Sequence, residues 1–468
     1  MTITSNRQSD RPNDRPNKRL ALAVLVGTFV GTLVMRTWAI DSRSWMLFDQ
    51  MRDWSIALGS FGDLPLVGPA THVHGYTIGP AFYWILWLLR VWLGPWFDNL
   101  PHAGGIGQAA LMSLADVLLL LAVWRRTRSL STGLATIVVL SAAAFDLTLS
   151  AVVWNPIVGS ILARFSTALV LLDWHRGSTL RRVVLAAVAW AAVHAYTGAV
   201  YVTVSVFAAM LLEPLVARDW RGIRRNALVI AAVVGVLQVP YLVHQFLYRF
   251  SDPAMGAVTG GVMQILTGAA RPEFEKSLAG YVGAVSFIEL APWSLPRLGW
   301  LLLASSVVTA VRYRFDIAVL TMTVLPSVLA VLGYAMFLGG LDHYYYFSVM
   351  PAAVLTVLLA ATAMPQRTVA HAVGLLLLAG AVAISPARIR YSTGLHWMRE
   401  YGPLVQGSRV IARRGLPMRT IRAEFRLPPT GDLEYVYRIL GGQIDRSSPW
   451  VATIGRDGTV TYEHLGGV

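Results

Sequence analysis

Long apolar runs alternate along this chain with short loops that are either basic or aromatic. The runs fall near residues 20–40, 104–123, 131–150, 157–173, 183–195, 197–217, 226–246, 298–311, 315–337, 346–363 and 368–385, many of them close to the length of about 20 residues that carries a helix across a bilayer. They predict an all-α multi-pass membrane protein of about 11 transmembrane helices. The pattern changes from Pro386 onward, where the composition turns soluble. There "WVATIGRDGTVTYEHL" alternates apolar and polar residues around an Asp-Gly turn, a hairpin signal, and "DLEYVYRIL" has helical spacing. Residues 386–468 are therefore expected to form a small α/β domain.

The loops assign the sides. Arg125, Arg126 and Arg128; Arg176, Arg181 and Arg182; Arg218, Arg221, Arg224 and Arg225; Arg312 and Arg314; and Arg367 occupy one set of connections. The alternate set, "SAVVWNP", "HAYTG" and "LGGLDHYYY", carries no Lys or Arg. This asymmetry places the basic loops in the cytoplasm, together with a polar, disordered tail at residues 1–19, and the aromatic loops and the carboxyl terminus outside. The scheme requires that residues 79–97 not cross. Gly79-Pro80, Gly94-Pro95, Arg90 and several tryptophans fit an interfacial or re-entrant helix there, within a first external loop at 41–103. Residues 247–297 are expected to be a second external loop, with the Gly-rich piece "GAVTGGVMQILTGAA" lying on the membrane.

Composition sharpens this without altering it. The 468 residues are 55% hydrophobic and only 14% charged, with a mean hydropathy of +0.56, which excludes a soluble fold. The excess of 39 Lys and Arg over 25 Asp and Glu reads as topology and headgroup contact, with no nucleic-acid partner. No cysteine is present, so there is neither a disulfide framework nor a thiolate metal site.

Chemistry concentrates between Asp49 and Trp84, where Asp49, Arg52, Asp53, Asp63, His72 and His74 lie between apolar stretches. A carboxylate in hydrocarbon costs roughly 2.5 to 3.5 kcal/mol, so these groups should face water in a loop or cavity. The topology gathers Asp49, Asp53, His72, His74, Trp154, Asn155, His194, Tyr196, Arg249, Asp342, His343 and Tyr344 at one membrane face. Such a set offers a carboxylate base, cations for an anionic group, and flat aromatic walls for a sugar. Bland readings compete at each position: a solvated loop acid for Asp49, a helix anchor for Arg249, a buried hydrogen-bonded histidine for His194, an interface belt for "HYYYF". His72 and His74 lack a third ligand at a defined spacing, so no metal is expected. A transporter or flippase of a lipid-linked sugar is the alternative class, but it would be expected to carry mid-span charges and an internal repeat.

The order of "FDQMRD", "GDLPLVGP", "GPAFYWIL", "VVWNP", "AAVHAYTG", "QVPYL" and "DHYYYFSVMP" resembles the GT-C glycosyltransferases. It is most similar to the bacterial branch grouped with dolichyl-phosphate-mannose protein mannosyltransferases, lipid A aminoarabinose transferases and rhizobial lipopolysaccharide galacturonosyltransferases. The resemblance covers roughly residues 20–385 and implies a GT-C-like bundle in the inner (plasma) membrane, with juxtamembrane helices in the first external loop. It further implies inverting transfer of a sugar from a polyprenyl-phosphate donor to a glycan, lipid or protein hydroxyl, without a cofactor. Asp49 matches the family's loop carboxylate and would be the general base, with Asp53 beside it. Arg52, His72, His74, Asn155, His194, Tyr196, Arg249, His343 and Tyr344 would contact substrate. Gln50 stands where many members carry Glu.

Overall fold

A computed structural model of the chain describes residues 18–38, 40, 48–71, 75–97, 100–150, 152–253, 260, 263–337, 341–364, 366–394, 401–424 and 433–465. Helix α1 (Lys18–Thr37) leads to α2 (Phe48–Ala57) and α3 (Ala81–Leu93), and α4 (Leu100–Thr127) opens the main bundle. The bundle continues with α5 (Leu130–Ser141), α6 (Ala144–Leu149), α7 (Asn155–Leu171), α8 (Thr179–Ala195), α9 (Val200–Val216) and α10 (Trp220–Leu247). After α11 (Phe274–Val285) come α12 (Leu298–Arg312), α13 (Ile317–Met322), α14 (Val324–Ala335), α15 (Met350–Ala361) and α16 (Arg367–Gly394). Among the described residues, seven helices are long and apolar enough to cross a membrane, and α5, α7 and α12 are shorter apolar helices. The chain is thus a multi-pass helical membrane protein, as the apolar runs predict.

The basic loops also start the helices that follow them. Ser129 Oγ accepts from Thr132 N at 3.2 Å, Asp219 Oδ1 from Gly222 N at 2.9 Å and Asp316 Oδ1 from Val319 N at 3.2 Å. Each capping side chain satisfies an amide that the first turn would otherwise leave without a partner. At that end Arg126 also ties the loops together, binding Asp173 at 2.5 Å and Asp316 at 2.8 Å.

Several predicted spans are broken. The run at 131–150 splits at Ala142 and Ala143 into α5 and α6, and the run at 315–337 splits at Thr323. Helix α16 runs through Pro386 to Gly394, past the point where the composition changes. The expected loop at 247–297 needs the largest correction. Phe274–Val285, extended by a π turn over Ser286–Leu290, is a helix whose Tyr281, Ala284, Val285 and Ile288 are buried in the main core. The Gly-rich stretch before it lies mostly outside the described residues.

Helix α3 has 13 residues, about 20 Å at the helical rise, against a hydrocarbon core of about 30 Å. It packs beside α2, where Arg90 Nη1 donates to Leu58 O at 2.6 Å, and it leaves Trp92 72% exposed. The geometry suits a helix lying at the interface.

The carboxyl-terminal region comprises α17 (Tyr401–Arg413), β1 (Thr420–Ala423), α18 (Leu433–Ile439), β2 (Trp450–Ile454) and β3 (Val460–His464). Strands β2 and β3 form the expected antiparallel hairpin, with Ile454 opposite Val460 and Gly458 at φ +82° in the turn, a conformation glycine adopts without strain. Strand β1 joins β2 in parallel through the α18 crossover, which the sequence pattern does not reveal. This unit is built onto the first loop, because Met51, Trp54, Phe82 and Tyr83 share one hydrophobic cluster with Leu404, Val436, Tyr437 and Ile454.

Candidate functional site

Helix α2 carries the acids, and its two faces have different fates. Met51 and Trp54 point into the cluster under the carboxyl-terminal unit, and Trp54 lies against Gly104 of α4, where any added Cβ would collide with the indole. Asp49 faces outward with 47% of its side chain exposed. Arg52 links the two acids of the helix: Nη1 lies 3.1 Å from Asp49 Oδ1, and Nη2 lies 2.9 Å from Asp53 Oδ1. Asp53 is 1% exposed and also accepts from Tyr83 Oη at 3.0 Å, while its Oδ2 has no hydrogen-bond partner among the described residues. Burial pushes the Asp53 carboxyl up to about 6, against the opposing pull of Arg52 and the Tyr83 hydroxyl.

A second wall comes from far along the chain. Residues His343–Val349 form a 3-10 helix held by its backbone: Tyr196 Oη donates to Tyr344 O at 3.3 Å and Tyr334 Oη to Tyr345 O at 2.7 Å. Tyr344 stacks on Tyr345 at 4.7 Å, meets Trp154 at 5.2 Å between centroids, and lies close enough to Asp49 to feel its charge. Asn155 opens α7 beside this wall and donates to Ala195 O at 3.4 Å. The turn before Trp154 is fixed by Gln108, whose Nε2 lies 3.1 Å from Leu149 O, 3.2 Å from Ser150 O and 2.8 Å from Val152 O. Trp154, Asn155, Tyr196 and Tyr344 thus lie in one neighbourhood, with Asp49 near Tyr344.

The other candidates are placed differently. His194 is fully buried, with Nε2 3.2 Å from Gln238 Oε1, and its ring occupies the space a side chain at Gly79 would need. Gln238 in turn donates to Ile78 O at 2.9 Å, so this pair seats the first loop on the bundle. Arg249 is exposed just beyond α10 at φ +53°, and no ion pair or hydrogen bond joins it to the acids of α2 among the described residues. His343 is exposed and stacks on Phe287 at 4.9 Å. His72 and His74 lie outside the described residues.

Sequence reasoning misses Tyr83 as a partner of the acids, and it misses a charge network inside the bundle. There Arg36 Nη2 lies 2.6 Å from Asp116 Oδ2 and 3.2 Å from Asp146 Oδ2, and Arg164 Nη1 lies 2.6 Å from Asp116 Oδ1 and 3.2 Å from Asp146 Oδ2. Two cations thus meet two anions. Glu289, from the π turn after α11, and Arg388 of α16 lie nearby, both buried. The signal was one ionisable residue in each of several apolar runs, which is costly in a bilayer unless it is partnered.

No family model matches the chain, and no curated protein matches it in sequence. Its fold, however, is shared with solved structures. ArnT from Cupriavidus metallidurans, both bound to undecaprenyl phosphate and in the apo state, aligns over 93% of this chain and 92% of its own, at 15% identity and a TM-score of 0.50. The apo oligosaccharyltransferase of Archaeoglobus fulgidus aligns over 86% of this chain and 59% of its own, at 13% identity and a TM-score of 0.48. The resemblance carried by the loop motifs is borne out at the level of fold by the ArnT alignments.

Proposed function

We propose that this membrane protein of GT-C fold is a glycosyltransferase, moving a sugar from a polyprenyl-phosphate donor to a hydroxyl of an envelope glycan, lipid or protein with inversion at the anomeric carbon. The observation that carries the reading is the arrangement on α2: a half-exposed Asp49, held by Arg52, opposite the aromatic wall of Trp154 and Tyr344. The fold of ArnT, one structure of which contains undecaprenyl phosphate, supports a lipid-linked donor.

In this reading the acceptor hydroxyl attacks the anomeric carbon while the bond from that carbon to the phosphate oxygen breaks. The hydroxyl proton passes to Asp49, and the bonding pair leaves with the polyprenyl phosphate. Arg52 holds Asp49 in place through the contact of its Nη1 with Asp49 Oδ1 at 3.1 Å. Asp53 acts through Arg52: buried and sharing the guanidinium, it is a positioning residue. Arg249, engaged by no carboxylate among the described residues, is the candidate cation for the leaving phosphate, where a charge-assisted contact is worth about 1.5 to 3 kcal/mol. Trp154 and Tyr344 offer flat faces to a sugar ring.

Two variants test this in lipid nanodiscs supplied with a polyprenyl-phosphate sugar and acceptor. Asp49→Asn keeps the shape and removes the base, so turnover should fall by about 10²- to 10⁴-fold with donor binding retained. Arg249→Ala should weaken donor binding instead. Near wild-type turnover in Asp49→Asn would remove the assignment of the base.

A further inference from the structure

Away from the acids, a groove of 760 Å³ runs between α8 and the first half of α10. Val183 and Ala187 form one side, and Leu228, Val236 and Leu237 lie along the other, on the outer surface of the bundle. Arg221, Arg224 and Arg225 stand together at one end. All three are exposed and pair with no carboxylate among the described residues; the adjacent Asp219 is spent on capping Gly222 N at 2.9 Å. This is the end of α10 opposite the first loop, since Tyr76 of that loop meets His244, in the last turn of α10, at 5.7 Å between centroids.

We propose that this groove is a binding site for an anionic glycerophospholipid of the leaflet facing the basic loops, with its phosphate on the three arginines and one acyl chain along α8 and α10. The charge pattern selects an anion at one end only and hydrocarbon elsewhere, which excludes a free phosphate as occupant. The length points the same way. From Arg225 to Leu237 is about 18 Å at the helical rise, close to the depth of one leaflet, half of a core about 30 Å thick. That length suits one acyl chain better than a long polyprenyl tail. A volume of 760 Å³ also lies within the usual range of about 300 to 1,000 Å³ for small-molecule sites. The groove is separate from the acid cluster of α2, so the proposal does not depend on the transfer chemistry.

Native mass spectrometry of the purified full-length chain in detergent, titrated with dioleoylphosphatidylglycerol or dioleoylphosphatidylcholine, tests it. The wild-type chain should retain the anionic lipid about tenfold more strongly, because each basic side chain near the surface adds to the attraction. Arg221→Gln/Arg224→Gln/Arg225→Gln should abolish the preference. Ala187→Phe, which keeps all three charges and fills the groove, should reduce retention of both lipids. Equal retention of the two lipids by the wild-type chain would overturn the proposal, as would a preference that survives in both variants. Displacement of the glycerophospholipid by undecaprenyl phosphate at equal concentration would also overturn it and assign the groove to a polyprenyl ligand.

Discussion

Two Arg–Asp clusters in this chain are built from the same parts to opposite ends. In the bundle, Arg36 and Arg164 share both oxygens of Asp116 and meet again on Asp146, so each charge is spent on a neighbour and the Arg36 and Asp116 side chains are fully buried. On α2, Arg52 divides itself between Asp49 and Asp53, and one of the two carboxylates stays open to water. A closed cluster fixes helices against one another; an open one leaves a charged group free to meet a substrate. Ion pairing alone does not mark a site; the half-exposed side chain of Asp49 is what leaves it available to a substrate.

Three single substitutions and one fourfold variant sharpen or break that contrast. Asp49→Asn carries the largest expected effect, the loss in turnover of about 10² to 10⁴ already described, and its thermal stability should stay within about 0.5 kcal/mol of the parent, as for an exposed side chain. Loss of folded protein in this variant would show that the α2 cluster is as structural as the buried one. Asp116→Ala should do the opposite, destabilising by about 3 to 5 kcal/mol because it leaves two buried guanidinium groups to one carboxylate. Replacing Arg36, Asp116, Asp146 and Arg164 together by apolar residues of similar size should restore much of that stability, as read by unfolding in a denaturing detergent. Failure of the fourfold variant to recover would mean that the network does more than hold helices.

The smallest effect concerns Asp53. Its carboxyl, normally near 3.8, is raised to about 6 by burial, so between those values the folded chain holds a proton that the unfolded chain has lost. The stability this contributes is present below about pH 4 and is lost as the pH rises through about 6. Asp53→Asn cannot titrate, so wild-type stability relative to the variant should drop by about 1 to 3 kcal/mol from pH 4 to pH 6 in parallel thermal melts. A difference independent of pH would show that Asp53 is ionised throughout.

Much of this organisation is legible in the sequence, and the rest is hidden for definable reasons. Apolar runs and basic loops locate most of the helices because lipid imposes length and composition on each segment separately. Asp49 and the aromatic wall are legible because the loop between apolar runs is the only place such residues fit cheaply. The bundle network is not, because Arg36 pairs with residues 80 and 110 positions away, and a single charge barely changes the average of an apolar run. Phe274–Leu290 is hidden because Glu275, Lys276 and Glu289 lower its hydropathy, although Glu289 ends up buried beside other charges. Strand β1 is hidden because it is four residues long and its parallel partner lies beyond an intervening helix. His194 was legible as a candidate, but sequence could not show that Gly79 presses on its ring.

The Tyr435 side chain, on α18 of the carboxyl-terminal unit, packs against the cluster that joins Val436 and Ile454 to Trp54 of α2. The portability of this unit is limited accordingly. In a chimaera that grafts residues 401–465 from a protein of the same fold, the underside of the graft would meet an α2 surface shaped for a different partner. A working exchange would have to move α2 and α3 with it, so the first loop and the last domain behave as one inherited cassette although the whole bundle separates them in the chain.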